Sequence, residues 1–236
     1  MFRSVLITGI VAGICAGLLV SVVQMVKVTP LILAAESYEQ LAAAKAAKGG
    51  KTISLAKAKN AGAKAQKADE AWQPADGLER QFYSFTANIL IGVGFGLLLV
   101  AGFVLSRREV DLSKGVMWGL GGFFMFNLAP ALGLAPELPG MNAAELGARQ
   151  MWWLATVLAS GGGLGLIVFT RPSWAKALGT AIIIAPHVIG APHPSHGASL
   201  VPAELAAQFV MASLTTSLLF WAVLGASAGY LYRKLG

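Results

Sequence analysis

Uncharged apolar runs of about 20 residues recur along this chain, and they constrain its fold more than any other feature. A helix of about 20 apolar residues is long enough to cross the hydrocarbon core of a bilayer. Helices suit that solvent because they satisfy their own backbone hydrogen bonds. Charged residues make up only 12% of the sequence, against about 25% in soluble proteins. The sequence therefore predicts an all-α, polytopic membrane helix bundle.

Six segments fit this pattern and predict a single transmembrane domain over residues 1–236. The fifth is the least regular, because it holds Lys176 near its start and Pro186 near its end. The first is longer than the roughly 7–15 apolar residues of a signal peptide. We interpret it as an anchor, although Ala34–Ala35 would permit cleavage. The predicted spans are Ser4–Val26, Phe82–Leu105, Gly115–Ala135, Gln150–Thr170, Ser173–Ala191 and Leu205–Tyr232.

A Lys- and Ala-rich insertion over residues 37–80 separates the first two predicted spans. So polar a segment cannot bury a core, and we interpret it as an extramembrane helical spacer. In the compact turns, Arg and Lys are concentrated on one membrane face, as the positive-inside rule expects. The lysines of the insertion favour the opposite orientation. We follow the compact turns, which place both termini in the cytoplasm. The net charge of +7 comes with no nucleic-acid-binding motif, so no nucleic-acid partner is expected.

Glycines at four-residue spacing mark several of the spans. Such faces let helices approach closely in lipid, and they predict a compact bundle that could also form oligomers. The glycines are Gly9, Gly13 and Gly17, then Gly92 and Gly96, Gly115 and Gly119, and Gly225 and Gly229.

The ends of the third and fifth spans resemble each other. The segment from Ala129 to Glu137 and the segment from Ala185 to His193 both read Ala-Pro, four residues, Ala-Pro, then a potential metal ligand. A helix opening with Ala-Glu-Leu follows each of them. Transporters are often built from repeats, with the ion site at the repeat interface beside broken helices. The pattern suggests three helical hairpins in parallel orientation, and chance in so biased a composition remains the alternative.

All three histidines of the chain lie within ten residues at the end of the fifth span. In the predicted topology they share one membrane face with carboxylates that follow the first and third spans. Imidazole and carboxylate together suit borderline divalent metals. The predicted metal ligands are His187, His193, His196, Glu36 and Glu137, and the predicted pathway residues are Asn127, Gln150, Glu204, Pro130 and Pro186. Equally, His187 could be a hydrogen-bonded interfacial histidine, and His193 and His196 ordinary loop residues.

Signatures of catalysis are missing from the sequence. It contains no His-Glu-x-x-His, no Gly-x-Ser-x-Gly, no P-loop and no CxxC motif, so it is not expected to be an enzyme or to hydrolyse ATP. No resident cofactor is expected either. Ligand types alone do not select among Co²⁺, Ni²⁺ and Zn²⁺ as the metal bound.

Several motifs together resemble the CbtA family, the proposed cobalt transporter subunits of bacteria. The resemblance implies a multi-pass inner-membrane protein that takes up cobalt for cobalamin synthesis. It also implies a partner, CbtB, which is a small single-span protein with a histidine-rich motif. The motifs are Pro30–Glu39, Leu128–Leu134 with Pro136–Gly140, Arg149–Trp153, Pro186–Pro192, and Phe220–Trp221 with Gly225 and Gly229.

Three functions remain open from the sequence. The leading one is a divalent-cation permease, in which outer carboxylates collect ions that then exchange water for imidazole near His187 and His193. The second is a non-transporting membrane subunit or scaffold, which docks a partner protein through the small-residue faces and the Lys-rich segment. The third is a membrane enzyme that uses His187 and Glu137 as acid and base.

Overall fold

The computed structural model describes residues 2–50, 74–75, 77–194 and 199–235, with side chains throughout except at 42, 43 and 45–50. Every regular element in these ranges is helical, as predicted. Most of the expected insertion over residues 37–80 lies outside them. The helices are α1 (Phe2–Lys27), α2 (Thr29–Gly50), α3 (Leu78–Ser106), α4 (Leu112–Phe123), a π-helical turn (Phe124–Leu128), α5 (Ala129–Ala131), α6 (Leu146–Phe169), α7 (Ser173–Ile189) and α8 (Ala203–Leu235).

Four of these helices, α1, α3, α6 and α8, are long and apolar enough to cross a membrane. The predicted count of six spans is not confirmed. Helix α7 has only 17 residues, and the predicted third span is divided among α4, the π-helical turn and α5. Pro130 explains the division, because it has no N–H to bond the carbonyl four residues earlier. Just before it, the Ala129 N–H bonds the carbonyl of Phe124, five residues back.

Glycine faces join the helices in three close pairs, α1 with α3, α4 with α8, and α6 with α7. A Cβ added to Gly13 would overlap the carbonyl oxygen of Gly92, and one added to Gly225 would overlap that of Gly115. The third pair meets at Gly163 and Gly179. The predicted role of the small residues in close packing is therefore confirmed for the first two pairs.

The hairpin interpretation does not describe how the later helices pack. Helix α1 does pack against its sequence neighbour among the spans, α3. By contrast, α4 packs most closely against α8, and α6 packs most closely against α7. The physical reason is the complementarity of the glycine faces: Gly115 and Gly119 on α4 meet Gly225 and Gly229 on α8, so these two distant helices pair across the bundle.

Two hydrophobic cores stand at different levels of the bundle. The larger joins α1, α3, α4 and α8 around Phe103, Trp221 and Leu224. The smaller joins α2, the loop after α5 and the start of α8, through Ala35, Leu138 and Val201. Because the second core is built from chain segments next to Glu36, Glu137 and Glu204, it places these three carboxylates at one end of the bundle.

The opposite end is basic. There α3 and α6 end, α4 and α7 begin, and the Arg108 guanidinium lies 5.0 Å from the centroid of the Phe169 ring. Helix α8 ends nearby with Arg233 and Lys234. Helix α4 begins at Asp111, whose side chain accepts the Lys114 N–H. That hydrogen bond is the main cause of a lowered pKa of the Asp111 carboxyl, so this cap stays charged in mild acid.

Candidate functional site

Glu36 forms an ion pair with Arg80, which joins α2 to α3. The two carboxylate oxygens lie 2.6 Å and 3.1 Å from the two terminal nitrogens of the guanidinium. Both side chains are about a third exposed. A carboxylate held on both oxygens by one guanidinium has to leave that partner before it can bind a metal ion. Glu36 therefore already has a structural role at the end of the bundle.

A second chain of contacts connects Glu137 to His187. Arg149 of α6 lies 2.7 Å from Glu137, and Trp152 follows Arg149 by one helical turn. The Trp152 ring meets the His187 imidazole edge to face, with centroids 5.9 Å apart. Gly133 allows this arrangement, because an added Cβ there would overlap the Trp152 ring. Two of the predicted ligands are thus linked through two residues of α6.

Three side-chain nitrogens in this chain of contacts are buried without a hydrogen-bond partner among the described residues: Arg149 Nε, Trp152 Nε1 and His187 Nε2. Buried polar atoms are usually hydrogen-bonded, and an unmet group costs about 1–3 kcal/mol. His187 therefore keeps an unused ring nitrogen next to the Trp152 ring. This nitrogen is available to an ion or a partner group only if the local packing opens.

The remaining predicted residues do not gather with these. His193 is exposed in the loop after α7, and His196 lies outside the described residues. Gln150 is exposed, while Glu204 sits in the first turn of α8 and accepts only a long 3.4 Å hydrogen bond from Gln208. Within the described ranges, no three His, Cys, Asp or Glu side chains are grouped to hold one ion. The ligand set stays a prediction.

Glu145 is explained by helix capping alone. Its carboxylate accepts the backbone N–H groups of Gly147 at 2.8 Å and Ala148 at 2.7 Å, at the start of α6. These bonds, led by that from Gly147, lower the pKa of the Glu145 carboxyl. Because the folded-state pKa is depressed, the stabilisation is present at neutral pH and is lost as the pH falls through the folded pKa.

A polar cavity of about 350 Å³ lies among α1, α3, the π-helical turn, α6 and α8. Its polar lining consists of Gln24, Asn88, Asn127 and Ser217, and the rest of its wall is mostly aromatic. No charged side chain lines it. Uncharged polar groups of this kind inside apolar helices are costly in lipid unless they bond one another or face a polar space. We call this space the amide cavity.

Asn127 is the central residue of the amide cavity. Its Oδ1 accepts the indole N–H of Trp221 at 2.7 Å, and its Nδ2 donates to Ser217 Oγ at 3.3 Å. The residue lies in the π-helical turn that precedes Pro130. Because π-helical turns shift side chains out of the α-helical register and are frequent at functional sites, Pro130 has a positioning role here. The pathway role of Asn127 and Pro130 stays a prediction.

A smaller cavity of about 150 Å³ continues from the amide cavity towards the end of the bundle that holds Glu137. The two cavities share Phe126, Asn127, Trp153 and Ser217, and the smaller one reaches Pro130 and Pro136. Pro136 directly precedes Glu137. The two neighbouring cavities, whose shared wall carries Asn127 and Ser217, together reach from the loop before Glu137 to the middle of the helices, and we call them the crevice.

Sequence reasoning missed Gln24, Asn88, Ser217 and Trp221. The available signal was an amide or hydroxyl within an otherwise apolar span, which is the same signal that pointed to Asn127. The amide nitrogen of Asn88 donates to Gln24 at 2.7 Å and to Ser21 at 3.1 Å. These bonds join α1 to α3, whose pairing no spacing in the sequence specifies.

The helices and cavities define the class of the protein: a helical membrane protein with polar cavities among apolar helices. The chain belongs to the CbtA family, described as probable cobalt transporter subunits, whose family model matches residues 2–233. No curated protein and no solved structure matches the chain. The resemblance inferred from the sequence motifs is thereby confirmed.

The Glu36–Arg80 pair gives a test of whether Glu36 binds metal or only holds α2 to α3. We expect Glu36→Ala and Arg80→Ala each to lower thermal stability, because each removes the two-point ion pair that joins α2 to α3. The exchanged double variant, Glu36→Arg with Arg80→Glu, should restore both stability and cobalt uptake. Restored stability with uptake still lost would contradict the structural role and support Glu36 as a metal ligand.

Proposed function

We propose that this protein moves a divalent transition-metal ion, cobalt, into the bacterial cell across the inner membrane and so supplies cobalamin synthesis. The observation that carries the proposal is the uncharged polar crevice among apolar helices in a member of a probable cobalt transporter family. Polar groups in membrane helices often hydrogen-bond neighbouring helices to each other. Here they also line cavities, and this lining favours a path for an ion over a simple anchor.

The path begins at the carboxylate-bearing end of the bundle in this proposal. Glu137 and Glu204 attract cations there, and His187 and His193 exchange ligands with the arriving ion, since imidazole suits cobalt, nickel and zinc. His196 and Glu36 belong to the same proposed mouth, with Gln150 at its rim. The ion then follows the crevice past Pro130 and Asn127. Pro186 lies inside the last turn of α7, next to His187, and its missing N–H weakens the helix there so that it can open.

Six crossings of the inner membrane, with both termini in the cytoplasm, complete the proposal. The run from Leu112 to Ala131 is continuous through its π-helical turn, and α7 with 17 residues is at the short limit for a crossing helix. The basic end, with Arg108, Lys114, Arg171 and Arg233 among its residues, favours the cytoplasm by the positive-inside rule. The Lys-rich insertion at the other end is the one opposing feature.

The family description as a subunit supports a partner protein. We propose that this partner is a small, single-span, histidine-rich protein of the CbtB type, which would supply imidazoles that the described residues do not gather into one group. The alternative function, a scaffold that docks a partner without carrying the ion, predicts that residues of the amide cavity are dispensable.

Radioactive cobalt uptake tests the proposed function. Cells that lack the protein are complemented with the full chain and its native partner, and uptake is measured with cobalt, nickel and zinc. We expect the wild-type chain to restore cobalt uptake. Asn88→Leu should reduce uptake by about tenfold, which corresponds to a loss of roughly 1.4 kcal/mol in the binding free energy of the ion in the cavity.

Thr86→Val is the matched control for Asn88→Leu. Thr86 is on the same helix α3, is exposed, and its hydroxyl bonds only the Phe82 carbonyl of its own helix. Normal uptake is expected for this variant. Equal uptake by all three proteins would favour the scaffold, and no uptake by cells with the wild-type chain would overturn the proposed function.

A further inference from the structure

Several hydrogen-bond donors of the amide cavity are used within the protein. The two N–H groups of Asn88 bond Ser21 and Gln24, and the indole N–H of Trp221 bonds Asn127. Asn88 Oδ1 accepts no hydrogen bond from the described residues, and Asn127 Oδ1 has one lone pair left. Both amide oxygens can therefore accept hydrogen bonds from an occupant of the cavity.

The residues that line the cavity are poor inner ligands for a transition metal. Cobalt and its neighbours prefer imidazole nitrogen, and thiolate or carboxylate ligands also bind them well. The cavity wall holds none of these groups, and its polar atoms are amide and hydroxyl. Such neutral oxygens would have to replace water molecules that already bind the ion strongly. The first-layer waters of a divalent ion are, however, strong hydrogen-bond donors that suit amide oxygens.

The cavity is also large enough for a hydrated ion. Six waters at about 30 Å³ each occupy roughly 180 Å³, and the cavity volume is about 350 Å³. Aromatic walls surround this space, with Phe126 and Trp221 stacked at 5.6 Å and Phe95 in contact with both rings. Faces of aromatic rings attract cations electrostatically, so this wall favours a positively charged occupant.

We propose that the amide cavity holds the divalent ion with its water shell intact, through hydrogen bonds from the bound waters to Asn88, Asn127 and Gln24. This inference rests on the proposed function and specifies how its inner site recognises the ion. Imidazole binding at the mouth and outer-sphere binding in the cavity are then separate steps. Selection among metals belongs to the first step, because hydrated cobalt, nickel and zinc ions are nearly alike in size and charge.

Hexaamminecobalt(III) tests the inference, because its six ammonia ligands do not exchange and direct N–H donors outward as bound waters do. We expect it to inhibit radioactive cobalt uptake by cells that contain the full chain and its partner. Asn88→Leu should raise the inhibitory concentration by about tenfold, the effect of one lost hydrogen bond to a charged group. Ser217→Ala, a smaller change, serves if the Asn88 variant does not accumulate in the membrane.

His187→Ala separates the two steps. It should weaken uptake of cobalt while leaving inhibition of the residual uptake by the inert complex unchanged, because that complex cannot accept an imidazole ligand. Normal cobalt uptake without inhibition by the complex would overturn the inference and leave the proposed function intact. Inhibition that is equally strong in wild type and both cavity variants would place the complex at the mouth and also overturn it. Absence of cobalt uptake by the wild-type chain would end both proposals.

Discussion

Asn127→Leu is expected to lower cobalt uptake by about an order of magnitude, which corresponds to roughly 1.4 kcal/mol in the stability of the bound ion. Leucine is similar in volume but removes the amide oxygen that faces the cavity. It also leaves the Trp221 indole N–H without an acceptor, although Trp221 is only 2% exposed. That buried donor costs about 1–3 kcal/mol of folding stability. Uptake and thermal unfolding of the purified protein are both measured.

The double variant Asn127→Leu with Trp221→Phe separates stability from transport. Removing both partners leaves no buried donor unmet, but the smaller Phe ring leaves a gap against Gly122 that offsets part of this gain. We therefore expect the double variant to recover part of the thermal stability while uptake stays low. Recovery of normal uptake together with stability would contradict a role of the Asn127 amide in the ion path.

Gly119→Ala is expected to destabilise the bundle strongly, and Gly121→Ala on the same helix α4 is not. A Cβ at position 119 would overlap the carbonyl oxygen of Trp221, which is backbone and cannot rotate away, whereas a Cβ at position 121 meets nothing within 4 Å. Overpacking of this kind typically costs 1–3 kcal/mol. Alanine in an open helix position instead gains up to about 1 kcal/mol over glycine.

If α4 and α8 pack as described, the two glycine variants shift the midpoint of thermal unfolding in detergent in different directions. The midpoint should fall for Gly119→Ala and stay level or rise for Gly121→Ala. Gly225→Ala, on the facing side of the same interface, should behave like Gly119→Ala. Equal shifts at positions 119 and 121 would contradict the close pairing of these helices.

The membrane class and the close glycine contacts could be predicted because both follow from local composition. Runs without charge indicate helices in lipid wherever they occur, and glycines such as Gly115 and Gly119 mark a face that can approach another helix. The partner of each face is not local information. The pairing of α4 with α8 depends on shape complementarity between segments far apart in the sequence, so the repeat between the third and fifth spans did not reveal it.

The candidate site was predictable only in part, for an electrostatic reason. His187, Glu36 and Glu137 were recognised because charged and imidazole groups near apolar segments are rare and costly. The sequence could not show that Arg80 and Arg149 pair with the two carboxylates, since both arginines come from other segments. Gln24, Asn88 and Ser217 were missed because a neutral polar residue in a span is common. They become candidate functional residues only because the fold brings them together with Asn127 around one cavity.

The single cysteine permits a direct test of the central claim that the ion passes through the crevice. Cys15 lies exposed on α1, away from the cavity lining, so Cys15→Ala provides a background without thiols. In that background, Ser217→Cys places a thiol in the wall shared by both cavities. Ser227→Cys is the control on the same helix, where the native hydroxyl bonds only the Val223 carbonyl.

Cobalt uptake after treatment of cells with a small, positively charged methanethiosulfonate is the decisive measurement. The account predicts that the reagent blocks uptake by the Ser217→Cys protein, that cobalt slows this block, and that the Ser227→Cys protein is unaffected. Uptake that continues unchanged through the Ser217→Cys protein after the same treatment, alongside normal uptake by the untreated protein, would contradict passage through the crevice.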